Sequence, residues 1–248
     1  MESTYGGRLH DSIENSSEKM KEIINKTVQR GGKIIIPSFA LERTQEILYV
    51  LEDLLTKNEI PNLPIYVDSP MAINITEIFQ RERSIYDTEM KARYANYTPF
   101  QNINIKYTES VEESKRINYR QGPCIIISAS GMCEAGRIRH HLANNIIDRR
   151  NTILFVGYMA ENTLGRTLIN HPDEVSILGR RYPVHAEIIK INCFSGHADE
   201  NDLLSWLNNL KAVESVVLVH GERECQNKLA SKISYPVQIA KFAETLSF

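Results

Sequence analysis

Four short runs of consecutive apolar residues constrain the fold of this chain more than any other feature. They are KIII at 33–36, PIYV at 64–67, CIIIS at 124–128 and TILFV at 152–156. None alternates polar with apolar residues, so each reads as a strand covered on both faces, the pattern of a parallel sheet. Helical spacing fills the intervals. Met20, Ile23, Ile24 and Val28 recur within 11–29, and Leu41, Ile47, Leu48, Leu51 and Leu55 within 41–55. Ile73, Ile78 and Ile85 fall within 71–97, and a further helix is expected over 136–147. Strand and helix in alternation predict an α/β fold with four to six parallel strands. Such folds place their ligands at the carboxyl ends of the strands, here PSFA (37–40), DSPMA (68–72), SASGM (128–132) and GYMAENTLGR (157–166).

After residue 169 the texture changes. Short strands are expected at 176–178, 184–187 and 188–193, joined by Gly179 and Pro183, then a helix over 199–210 and strands at 215–219 and 236–240. This predicts a domain boundary between 170 and 180. The start is unusual too, because Gly6-Gly7 and an acidic residue stand where a dispensable tail is common; they read as the interior of a domain or as a frayed end. Charge is nearly balanced, 29 Lys plus Arg against 31 Asp plus Glu, a net −2, which implies no global attraction to nucleic acid but leaves room for a local basic groove. No apolar run reaches the roughly 18 residues that span a bilayer, and no secretory signal is visible. The four cysteines, 124, 133, 193 and 225, include no C-x-x-C pair, so neither a disulfide framework nor a thiolate zinc cluster is indicated. A soluble, cytoplasmic protein with no membrane partner is expected.

Of seven histidines (10, 140, 141, 171, 185, 197 and 220), two stand at turns suited to chemistry. His197 lies in FSGHADEND just before a helix, and His220 ends VVLVHGE directly after a strand. An imidazole so placed can ligate a metal through one nitrogen while a neighbour holds the other, or can be a structural hydrogen-bonding group. The acidic candidates are Glu2, Asp68, Asp199, Asp202 and Glu222; Asp68 and Asp199 fit turn or helix caps equally well. SASGM and GYMAENTLGR would present backbone N–H groups and hydroxyls as phosphate-binding turns do. Arg137 and Arg166 follow them, with Arg139, His140, Arg149 and Arg150 adding positive charge nearby. There is no G-x-x-x-x-G-K-[S/T], no G-x-G-x-x-G and no G-x-S-x-G. Nor is there an H-x-H or H-E-x-x-H, so a two-metal centre is not assembled by this chain's own motifs.

Taken in order, ESTYGGRLH at 2–10, IIIPSFALERTQEILYVL at 34–51, VDSPMA at 67–72, ISASGMCEAGRIRHHL at 127–142, NTILFVGYMAENTLGRTL at 151–168, FSGHADENDL at 194–203 and VLVHGE at 217–222 are specific. Together they resemble the carboxyl-terminal half of a metallo-β-lactamase-fold nuclease of the RNA-processing β-CASP group. That resemblance implies a parallel-sheet cap inserted in a two-zinc hydrolase domain, with single-stranded RNA in the cleft between them. It implies residues 1–11 as the end of the first hydrolase segment, 12–175 as the cap and 176–248 as the return of the hydrolase domain. Glu2 matches the acidic residue that bonds the next group, His197 the histidine that protonates the leaving 3′-oxygen, and His220 a zinc ligand. A sugar alkoxide needs a proton donor to leave, and a carboxylate beside an imidazole orients its N–H for that purpose. The residues expected to face RNA or its phosphates are Ser38, Arg43, Asp68, Ser69, Ser128, Ser130, Gly131, Met132, Arg137, His140, Gly157, Thr163 and Arg166. The family's H-x-H-x-D-H segment and its remaining ligands belong upstream of ESTYG, where only Met1 stands. The expectation is therefore a fragment of a zinc-dependent ribonuclease, silent alone, with zinc weakly held or absent and Glu2 mobile near the terminus. The alternatives are a non-catalytic RNA-binding or protein-interaction module, which could self-associate, and a half-enzyme completed by a separate chain.

Overall fold

The computed structural model describes residues 1–192 and 194–245; the predicted strand end at Cys193 lies outside them. The chain divides into two compact units, Ser12–Phe194 and a smaller one that joins Met1–Asp11 to the chain from Ser195 onward.

In the larger unit the strands are β1 (Ile34–Pro37), β2 (Ile65–Val67), β3 (Ile105–Tyr107), β4 (Ile125–Ser128), β5 (Thr152–Val156), β6 (Glu174–Ile177), β7 (Arg180–Pro183) and β8 (Glu187–Ile191). Six of them form one all-parallel sheet in the order β3-β2-β4-β1-β5-β8, while β6 and β7 make an antiparallel hairpin. The helices are α1 (Ile13–Gln29), α2 (Arg43–Thr56), α3 (Pro70–Arg81), α4 (Thr88–Arg93), α5 (Val111–Tyr119), α6 (Ile138–Asn145) and α7 (Leu164–Ile169).

The unbroken apolar strands are explained by two cores. Ile34 and Ile36 face one way into a core with Met20 and Ile24 of α1 and Ile47, Leu48 and Leu51 of α2. Ile35 faces the other way, with Ile126, Ile153 and Phe155, onto Ile117 of α5 and Ile138 and Leu142 of α6. Side chains alternate between sheet faces, so a strand covered on both sides must be apolar at every position.

Three local expectations change. The helix expected over 71–97 is broken into α3, a 3₁₀ turn at Arg83–Ile85, and α4, because Asp87 caps a new start by accepting from Met90 N at 2.8 Å. The strand β3 and helix α5 were not foreseen; α5 starts with a full capping box between Ser110 and Glu113. In place of the two expected strands at 184–187 and 188–193 there is a single strand, β8, limited to Glu187–Ile191, which pairs in parallel with β5. Compactness therefore puts the division after Phe194 rather than at the expected 175: Ile188 and Ile191 complete the two cores of the sheet.

The smaller unit contains α8 (Glu200–Asn208), β9 (Val216–Leu218), α9 (Arg223–Ala230) and β10 (Val237–Ile239). The strands β9 and β10 pair in parallel, and Leu203, Leu207, Val216, Leu218 and Leu229 form its core. Met1–Ser3 runs beside β9: Met1 N donates to Val217 O, Val219 N to Met1 O and Ser3 N to His220 O. No helix among the described residues is long and apolar enough to cross a membrane.

Candidate active site

Glu2, His197 and His220 meet in the smaller unit, each offering a ligand atom within 4.8 Å of the others. The approach begins with the backbone. Met1–Ser3 is held against β9, and the following turn closes through Gly6 N to Ser3 O and Arg8 N to Tyr5 O. Ser3, Thr4 and Tyr5 are buried, and these bonds tie the Glu2 segment to β9, where a frayed end or a mobile Glu2 was expected. Gly6 lies against α9 so closely that a Cβ would stand 2.2 Å from the Cys225 carbonyl oxygen. Because that oxygen belongs to helix backbone, Gly6→Ala is expected to push the Glu2 segment off its seat. Limited proteolysis checks this, with cleavage near residues 1–11 rising severalfold while the larger unit stays resistant.

One oxygen of Glu2 accepts from Thr4 N at 3.1 Å and the other from His197 Nδ1 at 3.0 Å. Burial works to raise the Glu2 carboxyl, but the Thr4 bonds and the His197 ring outweigh it and hold it below the usual glutamate value. Donation from Nδ1 leaves His197 Nε2 as the atom that gives or takes a proton. The peptide of His197 is fixed as well: its N–H donates to Ser195 Oγ at 3.2 Å, and its carbonyl accepts from His10 Nε2 at 2.8 Å. His10 N in turn donates to Asp199, the cap of α8. His10 is a positioning residue that the sequence reading did not single out; its inclusion in the ESTYGGRLH stretch was the available signal.

His220 closes the cluster. Thr4 Oγ1 donates to the His220 carbonyl at 3.1 Å and meets Nδ1 of the ring at 3.0 Å, so Nδ1 carries the proton and Nε2 keeps its lone pair. That is the tautomer a metal ligand needs. The His197 and His220 rings lie 5.1 Å apart at 30°. As a donor set for zinc the cluster is partial. Glu2 and His197 are bonded to each other, which leaves one unengaged imidazole where closed zinc sites use four protein ligands.

The expected RNA-facing residues lie on the larger unit, at the carboxyl ends of β2, β4, β1 and β5, adjacent in that order along one sheet edge. Many are engaged within the fold. Asp68 is fully buried and accepts from Arg137 Nη1 at 2.7 Å, His141 Nε2 at 2.6 Å and Ser114 Oγ. Burial pushes its carboxyl up, yet His141, Ser114 and Arg137 together hold it below the usual aspartate value. Arg137 also donates to the carbonyls of Thr108 and Glu109. Ser128 Oγ donates to Asp68 O, Ser38 Oγ to Phe39 O, and Ser69 caps α3. Arg43 donates to Val156 O and Glu46. Gly157 is buried, and its N–H donates to Ile191 O. Gly131 lies under the ring of Phe39, where a Cβ would come within 2.9 Å. Thr163 caps α7, and Arg166 Nε donates to Met159 O. Ser130 and Met132 are half-buried, and His140 is exposed. The Asp68–His141 pair joins residues of two elements far apart in the chain, and nothing in the local sequence marks it.

The geometry is that of a parallel-sheet α/β unit accompanied by a carboxylate–histidine pair with one further histidine. Comparison with known proteins assigns the same class. Residues 44–168 match the Beta-Casp domain, and residues 181–242 match the Zn-dependent metallo-hydrolase RNA specificity domain. The chain belongs to the β-CASP family of metallo-β-lactamase-fold proteins. Among its relatives, Ribonuclease TTHA0252 of Thermus thermophilus is 39% identical over 98% of this chain and 56% of that protein. The RNase J-like protein of Methanocaldococcus jannaschii is 31% identical over 98% and 56% respectively. Cleavage and polyadenylation specificity factor 73 of Drosophila melanogaster is 30% identical over 92% of this chain and 33% of its own length. The chain thus spans between a third and somewhat over half of these relatives.

Proposed function

We propose that this chain is the RNA-binding and proton-donating part of a zinc-dependent ribonuclease that hydrolyses phosphodiester bonds in RNA processing or decay. The observation that carries the reading is the Glu2–His197 pair at 3.0 Å beside His220 in a chain of this family. Hydrolysis of an RNA phosphodiester expels a 3′-oxygen, which leaves readily only if a proton reaches it. His197 Nε2–H supplies that proton, and Glu2 holds Nδ1 so that Nε2 points outward. His220 Nε2 is the one ligand these residues offer to zinc, which when bound supplies the nucleophilic oxygen and polarises the phosphate. Since one imidazole lacks the multidentate geometry of a closed site, the 248 residues here hold zinc weakly and do not turn over RNA unaided.

Single-stranded RNA is the partner. At the strand-end edge, Ser130, His140 and Arg166 retain solvent access while Arg137, Asp68 and Ser128 hold the turns in shape. Titration of a labelled single-stranded oligonucleotide at two salt concentrations tests this. Binding is expected at low salt, with the logarithm of the affinity falling by about 0.7 per phosphate contact for each tenfold rise in salt. Absence of binding at low salt contradicts the reading.

A further inference from the structure

The strand-end arginines are largely satisfied within the fold, but a second group of cations is not. A cleft of about 560 Å³ opens on the larger unit beside the β3 edge, lined by Tyr66 of β2, Lys106 of β3, and Glu113, Arg116, Ile117 and Arg120 on or just beyond α5. The register explains how they meet. Tyr66 pairs with Lys106 across β2 and β3, so both project from one face of the sheet, and Lys106 Nζ stands 5.8 Å from the centre of the Tyr66 ring. On α5, Glu113 and Ile117 lie one helical turn apart and share a face, and Arg120 follows directly as the C-cap residue. Buried Ile117 seats that face on the sheet as part of the second core.

The charge in the cleft is one-sided. Among the described residues, Lys106, Arg116 and Arg120 take part in no ion pair. Arg120 Nε is buried without any hydrogen-bond partner, which is unfavourable unless a ligand completes it. The single carboxylate, Glu113, is turned to the helix start, where it accepts from Ser110 N at 3.1 Å and Ser110 Oγ at 2.9 Å. The cleft thus combines an aromatic and aliphatic floor with three cations, two of them guanidinium groups whose planar forks suit phosphate oxygens. Its volume exceeds the need of a bare phosphate, and its floor has no use for one.

We propose that this cleft binds a nucleotide, with its base packed on the half-exposed ring of Tyr66 and its phosphate held by Lys106, Arg116 and Arg120. It is a site separate from the strand-end turns, and as a nucleotide within single-stranded RNA it rests on the RNA reading above. It gives the larger unit a second contact for the same strand. Base stacking on a half-exposed ring beside cations tolerates any sequence, so the site adds affinity without selecting bases.

The test compares the whole chain with its Lys106→Gln/Arg116→Gln/Arg120→Gln variant in oligonucleotide titrations at several salt concentrations. Loss of the one phosphate contact these groups share is expected to weaken binding several-fold at low salt and to flatten the salt slope by about 0.7. Because Arg120 Nε is buried, the Lys106→Gln/Arg116→Gln variant, altered only at exposed positions, serves if the triple variant does not fold. Uridine monophosphate is titrated separately, with the Tyr66 ring resonances as readout. A shift with the monophosphate shows a site for free nucleotides, a shift with the oligonucleotide alone shows one for a strand, and either supports the proposal. Wild-type binding with unchanged affinity and slope in the variants overturns this site and leaves the RNA reading standing. No binding of either the oligonucleotide or the monophosphate by wild type at low salt overturns both.

Discussion

Replacing Asp68 by alanine is expected to lower the melting temperature by on the order of 10 °C and to leave the salt slope of RNA binding unchanged. Asp68 is fully buried and holds Arg137 at 2.7 Å and His141 at 2.6 Å, with Ser114 as a third donor. Removing one member of a buried ionic group leaves its partners uncompensated, which costs about 3–5 kcal/mol, and each kcal/mol is worth roughly 2–4 °C in a chain of this size. The network spreads the damage. Arg137 would lose its anchor between β2 and the carbonyls after β3, and His141 of α6 would face an empty site. Thermal melting beside RNA titration distinguishes this role from phosphate contact, which would weaken RNA binding and leave the melting temperature alone. The pH dependence has a definite sign. Because the Asp68 carboxyl is held below the usual aspartate value, its contribution is fully present above about pH 4. It fades as pH falls through the folded value, so acid should narrow the gap between wild type and variant.

The second large effect concerns His197. In any form of this protein that turns over RNA, His197→Ala is expected to lower the rate by about 10²- to 10⁴-fold, the usual contribution of a positioned proton donor. RNA affinity should hardly move, because in the proposed role the ring would give a proton to the leaving oxygen rather than bind the strand. Glu2→Gln acts through the ring it orients, so its loss should be smaller and should shift the pH profile of turnover. An RNA substrate with a better leaving group at the scissile bond provides the check: the His197→Ala deficit should shrink on it, and a deficit of unchanged size would assign His197 a structural role.

Much of the larger unit was legible because burial on both faces leaves an unmistakable mark. Residues 34–36, 125–127 and 153–156 are apolar at every position, and the two cores show why. What escaped was whatever depends on partners distant in the chain. β3 is a three-residue edge strand, half-buried or exposed along its length, so it carries no apolar run. α9 is short and strongly polar; Leu229 joins the core of its unit, Ala230 packs against it and Cys225 is buried. The boundary near 175 followed a change of texture, yet β8 joins the sheet by pairing with β5, which no local pattern announces. At the site, His197 and His220 were readable as histidines at turns, and the family resemblance supplied Glu2. That Thr4 fixes the tautomer of His220, and that His10 steadies the His197 peptide, became visible only when the first turn of the chain met the segments around residues 197 and 220.

The most direct test follows the fate of bound RNA. The purified chain is mixed with a labelled single-stranded oligonucleotide at low salt, zinc is added, and the products are separated by size while zinc affinity is measured in parallel. If these residues hold the proton donor and a single zinc ligand, the oligonucleotide is bound and stays intact, and zinc binds weakly and is lost in His220→Ala. Zinc-dependent cleavage by this chain alone, abolished by His197→Ala, would contradict the account, because it would require a complete metal centre where the structure shows one unengaged imidazole.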